Sequence, residues 1–158
     1  MTKYVALLRG IGPTNPNMRN DKLRGVFERL GFRNVQTVIS SGNVIFESSS
    51  KSVTALEKKI EQALPAQLGF TSMTIIRSQA ELERIVKKDP FKGATHDRDS
   101  YLIVTFLKKK PREIYTVIDT TKTRTPDFMV QLEKKYGKEI TTRTWKTIGR
   151  ILAKMDSK

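Results

Sequence analysis

Four groups of residues have types and spacings that suit the binding of an anion. Arg9 with Gly10 and Gly12 closes a short apolar run, Tyr4–Leu8. That is the end of a strand where open sheets place ligand crevices, and the two glycines let backbone N–H groups approach a negative charge. An Arg that ties loop carbonyls together requires the same residues. Ser41-Gly42-Asn43 offers two side-chain oxygens beside an accessible backbone, and it is equally the composition of a tight hairpin. Thr142, Arg143, Thr144, Lys146 and Thr147 are expected at the start of the last helix, where unpaired amides and the helix dipole favour phosphate or carboxylate. In the alternative reading Thr142 or Thr144 is only the N-cap, Trp145 anchors a core and the stem of Arg143 packs over it. Lys108-Lys109-Lys110 with Arg112 forms a basic projection suited to a phosphate backbone, or simply to solubility. No Gly-x-x-x-x-Gly-Lys-Ser/Thr or Gly-x-Gly-x-x-Gly run is present.

Other chemistries are excluded by what the chain lacks. Without Cys there are no disulfides, thiolate zinc sites, iron–sulfur clusters or cysteine nucleophiles. His96 is the single histidine, so multi-histidine metal sites are impossible, and its setting, Gly93-Ala94-Thr95-His96-Asp97-Arg98-Asp99, reads as a polar loop. Asp97 and Asp99 alone do not make a hard-metal site, and no paired carboxylates suit acid–base work, so no metal and no cofactor are expected. Thirty basic residues against sixteen acidic ones in 158 give a net charge of +14, which makes polyanions the partners to expect. The charge is shared: residues 1–79 carry +6 and residues 80–158 carry +8. No apolar run approaches membrane-spanning length and no leader pattern precedes the first strand, so a cytoplasmic protein that does not enter membranes is expected.

The elements that must position these groups follow from periodicity. Lys3–Arg9 is apolar on both alternating faces, as a strand covered on both sides would be. Leu23, Val26, Phe27 and Leu30 fall at helical spacing before Gly31, and Val35–Ile39 and Val44–Glu47 flank the Ser41-Gly42-Asn43 turn as a hairpin. Val53, Leu56, Ile60, Ala63 and Leu64 mark a helix that Pro65 ends or bends, and Thr71–Arg77 is the next strand. Ser78 and Glu81 have the spacing of a capping box opening a third helix. Tyr101–Leu107 and Glu113–Ile118 form a second hairpin, Thr125-Pro126-Asp127 opens a helix with Thr125 as N-cap, Glu139–Thr141 is a short strand, and Trp145 to Met155 is a last amphipathic helix. The order strand–helix–strand–strand–helix–strand over 3–77 is that of a split βαβ unit. The reading is therefore α+β with two ferredoxin-like halves sharing an interface, 1–77 and 78–158, the second ending in the C-terminal helix, or else one compact domain. An RNA-recognition module needs aromatics on its third strand, and Phe46 is the single one there.

Tyr4-Val5-Ala6-Leu7-Leu8-Arg9-Gly10-Ile11, Leu30-Gly31-Phe32 and Ser41-Gly42-Asn43-Val44-Ile45-Phe46 together resemble the family catalogued as domain of unknown function 1697. Ser78–Leu82, Asp89-Pro90-Phe91 and Thr141–Thr147 continue the resemblance almost to the C-terminus. The resemblance implies a bacterial cytoplasmic protein of α+β architecture and no particular reaction. This chain differs from the family pattern in having Gly12-Pro13-Thr14-Asn15 after Leu-Leu-Arg-Gly-Ile, and Thr144 and Lys146 where the family shows Asn. The function read from these residues is binding of a phosphate-bearing ligand, nucleic acid or nucleotide, through Arg9, Gly10, Ser41, Asn43, Arg143 and Lys146. The alternatives are a small-molecule enzyme whose pocket is built by Arg9, Asn43 and Arg143, and a module that binds a protein partner.

Overall fold

A computed structural model describes residues 1–12, 14–109 and 112–157. The chain divides into two compact units, Met1–Glu83 with Arg150–Lys158, and Arg84–Gly149. The first contains β1 (Thr2–Leu8), α1 (Asn20–Arg29), β2 (Arg33–Thr37), β3 (Asn43–Ser48), α2 (Val53–Leu68) and β4 (Thr74–Ser78). Its sheet has the order β2-β3-β1-β4, with every neighbouring pair antiparallel. Each βαβ unit is thus split: β3 lies between the parallel strands β1 and β2, and β1 lies between β3 and β4. This is the ferredoxin-like arrangement that the element order predicts.

The central position of β1 explains its two apolar faces. Tyr4, Ala6 and Leu8 join the core built with Leu23, Val26 and Phe27 of α1 and Leu56, Ile60 and Leu64 of α2. Val5 and Leu7, on the other face, are fully buried as well. Pro65 does not end α2. The helix continues to Leu68 and stops at Gly69, whose N–H bonds to the Pro65 carbonyl at 3.1 Å. A proline removes one backbone donor, and the apolar stripe ending in Leu64 holds the helix through that gap. Two α2 carboxylates close the open edge of the sheet. Glu61 accepts from the Thr74 N–H and Glu57 from the Ile76 N–H, both at 2.9 Å, satisfying alternate donors of edge strand β4. Glu57 is itself buried, a placement that its position in a helical charge pattern does not reveal.

The remaining elements are α3 (Gln79–Lys88), β5 (Ser100–Leu107), β6 (Arg112–Asp119), α4 (Thr125–Tyr136), β7 (Ile140–Thr144) and α5 (Trp145–Asp156). The capping box forms as expected: the Ser78 N–H donates to Glu81 Oε1 at 2.9 Å and the Glu81 N–H to Ser78 Oγ at 3.2 Å. The second sheet has three strands in the order β6-β5-β7, again antiparallel. β6 and β7 are parallel, joined through α4 and separated by β5, so one split βαβ unit is present. β5 turns directly into β6 with no intervening helix and strand, which makes the second sheet one strand narrower than the first. Its core is Ile103, Leu107 and Ile118 of the sheet with Phe128 and Leu132 of α4. The helix α4 begins one residue earlier than expected: Arg124 is the N-cap and makes no side-chain cap, and Thr125 is already helical. Pro126 and Asp127 in the first turn favour the helix start without help from a capping hydroxyl.

Candidate functional site

In the first unit Ser41 and Asn43 bond to each other, and the backbone of Arg9 bonds to Ser72 and Met73. Asn43, buried at the start of β3, donates from Nδ2 to the Val38 carbonyl at 3.1 Å and to Ser41 Oγ at 2.9 Å, while its own carbonyl accepts from the Val38 N–H at 3.0 Å. Gly42 accepts from the Leu8 N–H at 2.9 Å and has φ +79°. A Cβ there would lie 2.7 Å from Ile11 Cγ1, so the close approach of the hairpin to the Arg9-Gly10-Ile11 segment needs glycine. Arg9 is half-buried, and its backbone is held on both sides, N–H to the Met73 carbonyl at 3.0 Å and carbonyl to Ser72 Oγ at 2.8 Å. Gly10 is exposed in the left-handed region. The Leu-Leu-Arg-Gly-Ile and Ser-Gly-Asn segments, far apart in sequence, therefore form one packed turn assembly. Phe46 lies in the helix-covered core, stacked on Phe32 at 4.5 Å between centroids, and offers no face to a base.

In the second unit the cluster expected at the start of the last helix is divided between two elements. Thr142 and Arg143 lie in β7, which runs to Thr144 without a loop before α5. Thr144 is the cap: its Oγ1 accepts from the Thr147 N–H at 3.3 Å. Arg143 is buried, and Nη1 donates to Thr141 Oγ1 and to the Thr142 carbonyl, both at 2.7 Å. Desolvation draws its guanidinium down to about 10, still charged at neutral pH. Lys146 is exposed on the first turn of α5. His96 is structural as well. Its Nδ1 accepts from the Leu102 N–H at 3.0 Å and its ring stacks on Tyr101, 4.9 Å between centroids. Among the described residues no group of three or more His, Asp or Glu side chains is placed to hold a metal ion.

A different place in the second unit concentrates positive charge. Between the end of the β5–β6 hairpin and the C-terminal end of α4 lies a cleft of about 310 Å³, lined by Lys108, Lys109, Arg112, Lys135 and Lys138 around Tyr136, with Glu139 the one carboxylate. Tyr136 orders two of the cations: Arg112 Cζ lies 6.0 Å from its ring centroid and Lys135 Nζ 5.5 Å, within cation–π range. Glu139 pairs with Lys109 at 3.3 Å. Its carbonyl accepts from the Lys108 N–H at 3.1 Å, fastening the approach to β7 against the end of β5. Gly137, at φ +86° and ψ −175°, has a backbone conformation almost confined to glycine, and this turn carries the chain from α4 round the floor of the cleft. The hairpin lysines are legible as a basic projection; Lys110, the third of that run, lies outside the described residues. The run Lys134-Lys135-Tyr136-Gly137-Lys138 reads in sequence as a helix stop, and only the fold sets it beside the hairpin. A larger cavity of about 600 Å³ in the first unit has two cations, Lys3 and Lys154, matched by Glu47 and Asp156, and so has no comparable excess of charge.

The profile of the family described as protein of unknown function (DUF1697) matches residues 1–136. The chain belongs to this family. The whole DUF1697 fold seen here is shared with a solved structure, that of conserved bacterial protein SP0830 from Streptococcus pneumoniae, over 99% of each chain, with a TM-score of 0.74 at 19% identity. No curated protein matches the sequence. No helix among the described residues of this DUF1697 chain is long and apolar enough to cross a membrane.

Proposed function

We propose that this DUF1697 protein binds a phosphate-bearing ligand, nucleic acid or nucleotide, in the basic cleft of its second unit. The observation that carries the reading is the lining of that cleft: five cations against one carboxylate around about 310 Å³. A concave basic surface focuses the field and raises the local concentration of anions, and Lys and Arg donors form strong charge-assisted bonds to phosphate oxygens. The carbonyl end of α4 opposes this with about half a negative charge, a minor term beside five cations. Ser41 and Asn43 in the first unit and Arg143 in β7 enter the reading as architecture, because their described polar contacts are made to the chain itself, and Arg9 and Gly10 do not line the cleft. Lys146 contributes only to the general positive field.

The test is fluorescence anisotropy with a labelled oligothymidylate at two salt concentrations. Wild type is expected to bind with steep salt dependence. Replacing Lys108, Lys135 and Lys138 by Gln should lower the salt slope by about 0.7 for each phosphate contact removed from a single strand. Equal affinity and equal slope in the variant would refute the site.

A further inference from the structure

The outer strands of the two sheets differ in how their free edges are closed. β4 gives outward N–H groups to Glu57 and Glu61 of α2. β2 is five residues long, and its register shifts between Arg33 and Gln36, where Asn34 enters the left-handed region at φ +50°. Both are devices that keep a further strand from adding to a sheet. β7 is only five residues long as well. β6 is different. It runs for eight residues in unbroken register with β5, and Ile114-Tyr115-Thr116-Val117-Ile118 at its centre contains no charge, proline or glycine.

The direction of its backbone groups follows from one hydrogen bond. The Thr120 N–H donates to the Asp99 carbonyl at 3.0 Å, one step beyond the paired Asp119 and Ser100. Bonding alternates along an antiparallel ladder, so the even-numbered residues of β6 bond to β5. Tyr115 and Val117 then turn N–H and C=O to the side where their sheet has no further strand. Val117 is 52% exposed, and on the same face the Tyr115 ring is held edge-on by Phe91, 5.9 Å between centroids.

We propose that β6 is a docking edge for an extended peptide strand of another protein, with β-branched or aromatic side chains opposite Tyr115 and Val117 and a carboxylate opposite Arg112. This goes beyond the phosphate reading and does not rest on it. Main-chain bonds supply the affinity of an added strand, and alternate side chains supply its selectivity. Aromatic and β-branched residues facing each other across strands attract, as do opposite charges. Charge selects the occupant. A second copy of this chain brings +14 to meet +14, which opposes association, whereas an acidic segment is drawn in. Arg112 is exposed at the start of the edge, and its place over the Tyr136 ring leaves its charge unneutralised by that contact.

The probe is a fluorescein-labelled peptide, Thr-Thr-Val-Thr-Val-Thr-Thr-Glu, which in antiparallel register sets its valines opposite Val117 and Tyr115 and its glutamate opposite Arg112. Anisotropy is read with the full chain, as wild type and as Val117→Pro. Proline there removes an outward N–H and no bond to β5, so the Tm is expected to hold. Wild type is expected to bind the peptide, and Val117→Pro to lose at least about tenfold in affinity. A peptide with Lys in place of Glu should bind at least about threefold more weakly. Oligothymidylate affinity should not change in Val117→Pro, which separates this inference from the cleft reading. In wild type the Tyr115 and Val117 amides should exchange hydrogen freely without peptide and at least about tenfold more slowly with it, while Thr116 stays protected throughout.

Failure of wild type to bind, equal binding by a folded Val117→Pro, or unslowed exchange at Tyr115 and Val117 overturns the docking edge. Where Val117→Pro lowers the Tm, a peptide N-methylated at both valines decides, since it cannot donate to β6; equal affinity for it overturns the edge. Equal binding of the Glu and Lys peptides overturns the acidic assignment. A wild-type dimer in sedimentation that Val117→Pro abolishes makes a second copy the occupant and overturns the peptide assignment.

Discussion

Around Asn43 and around Tyr136 the chain gathers polar side chains, with opposite results. In the turn assembly of the first unit the amide of Asn43, the hydroxyl of Ser41 and the carbonyls of Val38 and Gly42 bond to one another or to the backbone of β1, and Val38, Gly42 and Asn43 are buried. In the second-unit cleft four of the five cations, Lys109, Arg112, Lys135 and Lys138, are exposed, and they outnumber the carboxylates that line the space. Buried polar atoms that close on themselves stabilise one backbone conformation, whereas an excess of like charge at a surface makes a local positive potential. The contrast teaches that a sequence motif dense in Gly, Asn and Ser spends its polar groups on the chain's own backbone here, while the exposed positive charge of the cleft is drawn from separate segments.

The contrast breaks most visibly at Gly42. Gly42→Ala places a Cβ against Ile11 in a left-handed backbone and is expected to lower the unfolding free energy by about 2–4 kcal/mol, measured by urea denaturation. A loss under about 0.5 kcal/mol would show that the turn assembly yields readily and is not the rigid element described. Asn43→Ala comes next. It leaves the Val38 carbonyl and the Ser41 hydroxyl without the amide that serves them, at about 1–3 kcal/mol, with oligothymidylate affinity unchanged. Arg143→Gln sharpens the same line within the second unit. Removing Nη1 from Thr141 and Thr142 should cost about 1–3 kcal/mol, and oligothymidylate binding should stay within twofold; a large loss of binding at constant stability would return Arg143 to the ligand site.

The smallest effect lies at the far end of β6. Asp119 is exposed, and hydrogen bonds from the Thr121 hydroxyl and N–H hold its carboxyl below the usual 3.8. A carboxyl lowered on folding contributes stability above its unfolded value and loses it as pH falls through the folded one. The Tm difference between wild type and Thr121→Ala should therefore be small near neutral pH and shrink further on acidification below 3.8. A difference that widens in acid would contradict this assignment.

Local signals in the sequence carried over where their partners are also local. The capping box at Ser78 and Glu81, the apolar stripe of α1 and the split βαβ order of residues 2–78 each depend on residues within a few turns or on alternation along a strand. Local rules misplaced the N-cap of α4 at Thr125, because Pro126 tolerates either neighbour as the first helical residue. They also placed Arg143 at a helix start when β7 continues to Thr144. Hydrogen bonding to β5, where Arg143 pairs with Val104 and Thr144 with Ile103, extends that strand, and no pattern within residues 139–147 announces a partner so distant.

Composition by itself determined that this chain would be basic, free of thiol and multi-histidine chemistry, and α+β in its periodicities, since those properties are sums over residues or depend on neighbours in sequence. Which charges meet was decided only by tertiary structure. Lys108 and Lys109 follow the end of β5, Arg112 begins β6, and Lys135 and Lys138 flank the end of a helix more than twenty residues later in the chain. They converge because β7 pairs with β5 and brings the end of α4 with it. Coulomb interaction acts through distance in space, and distance in space is set by that pairing.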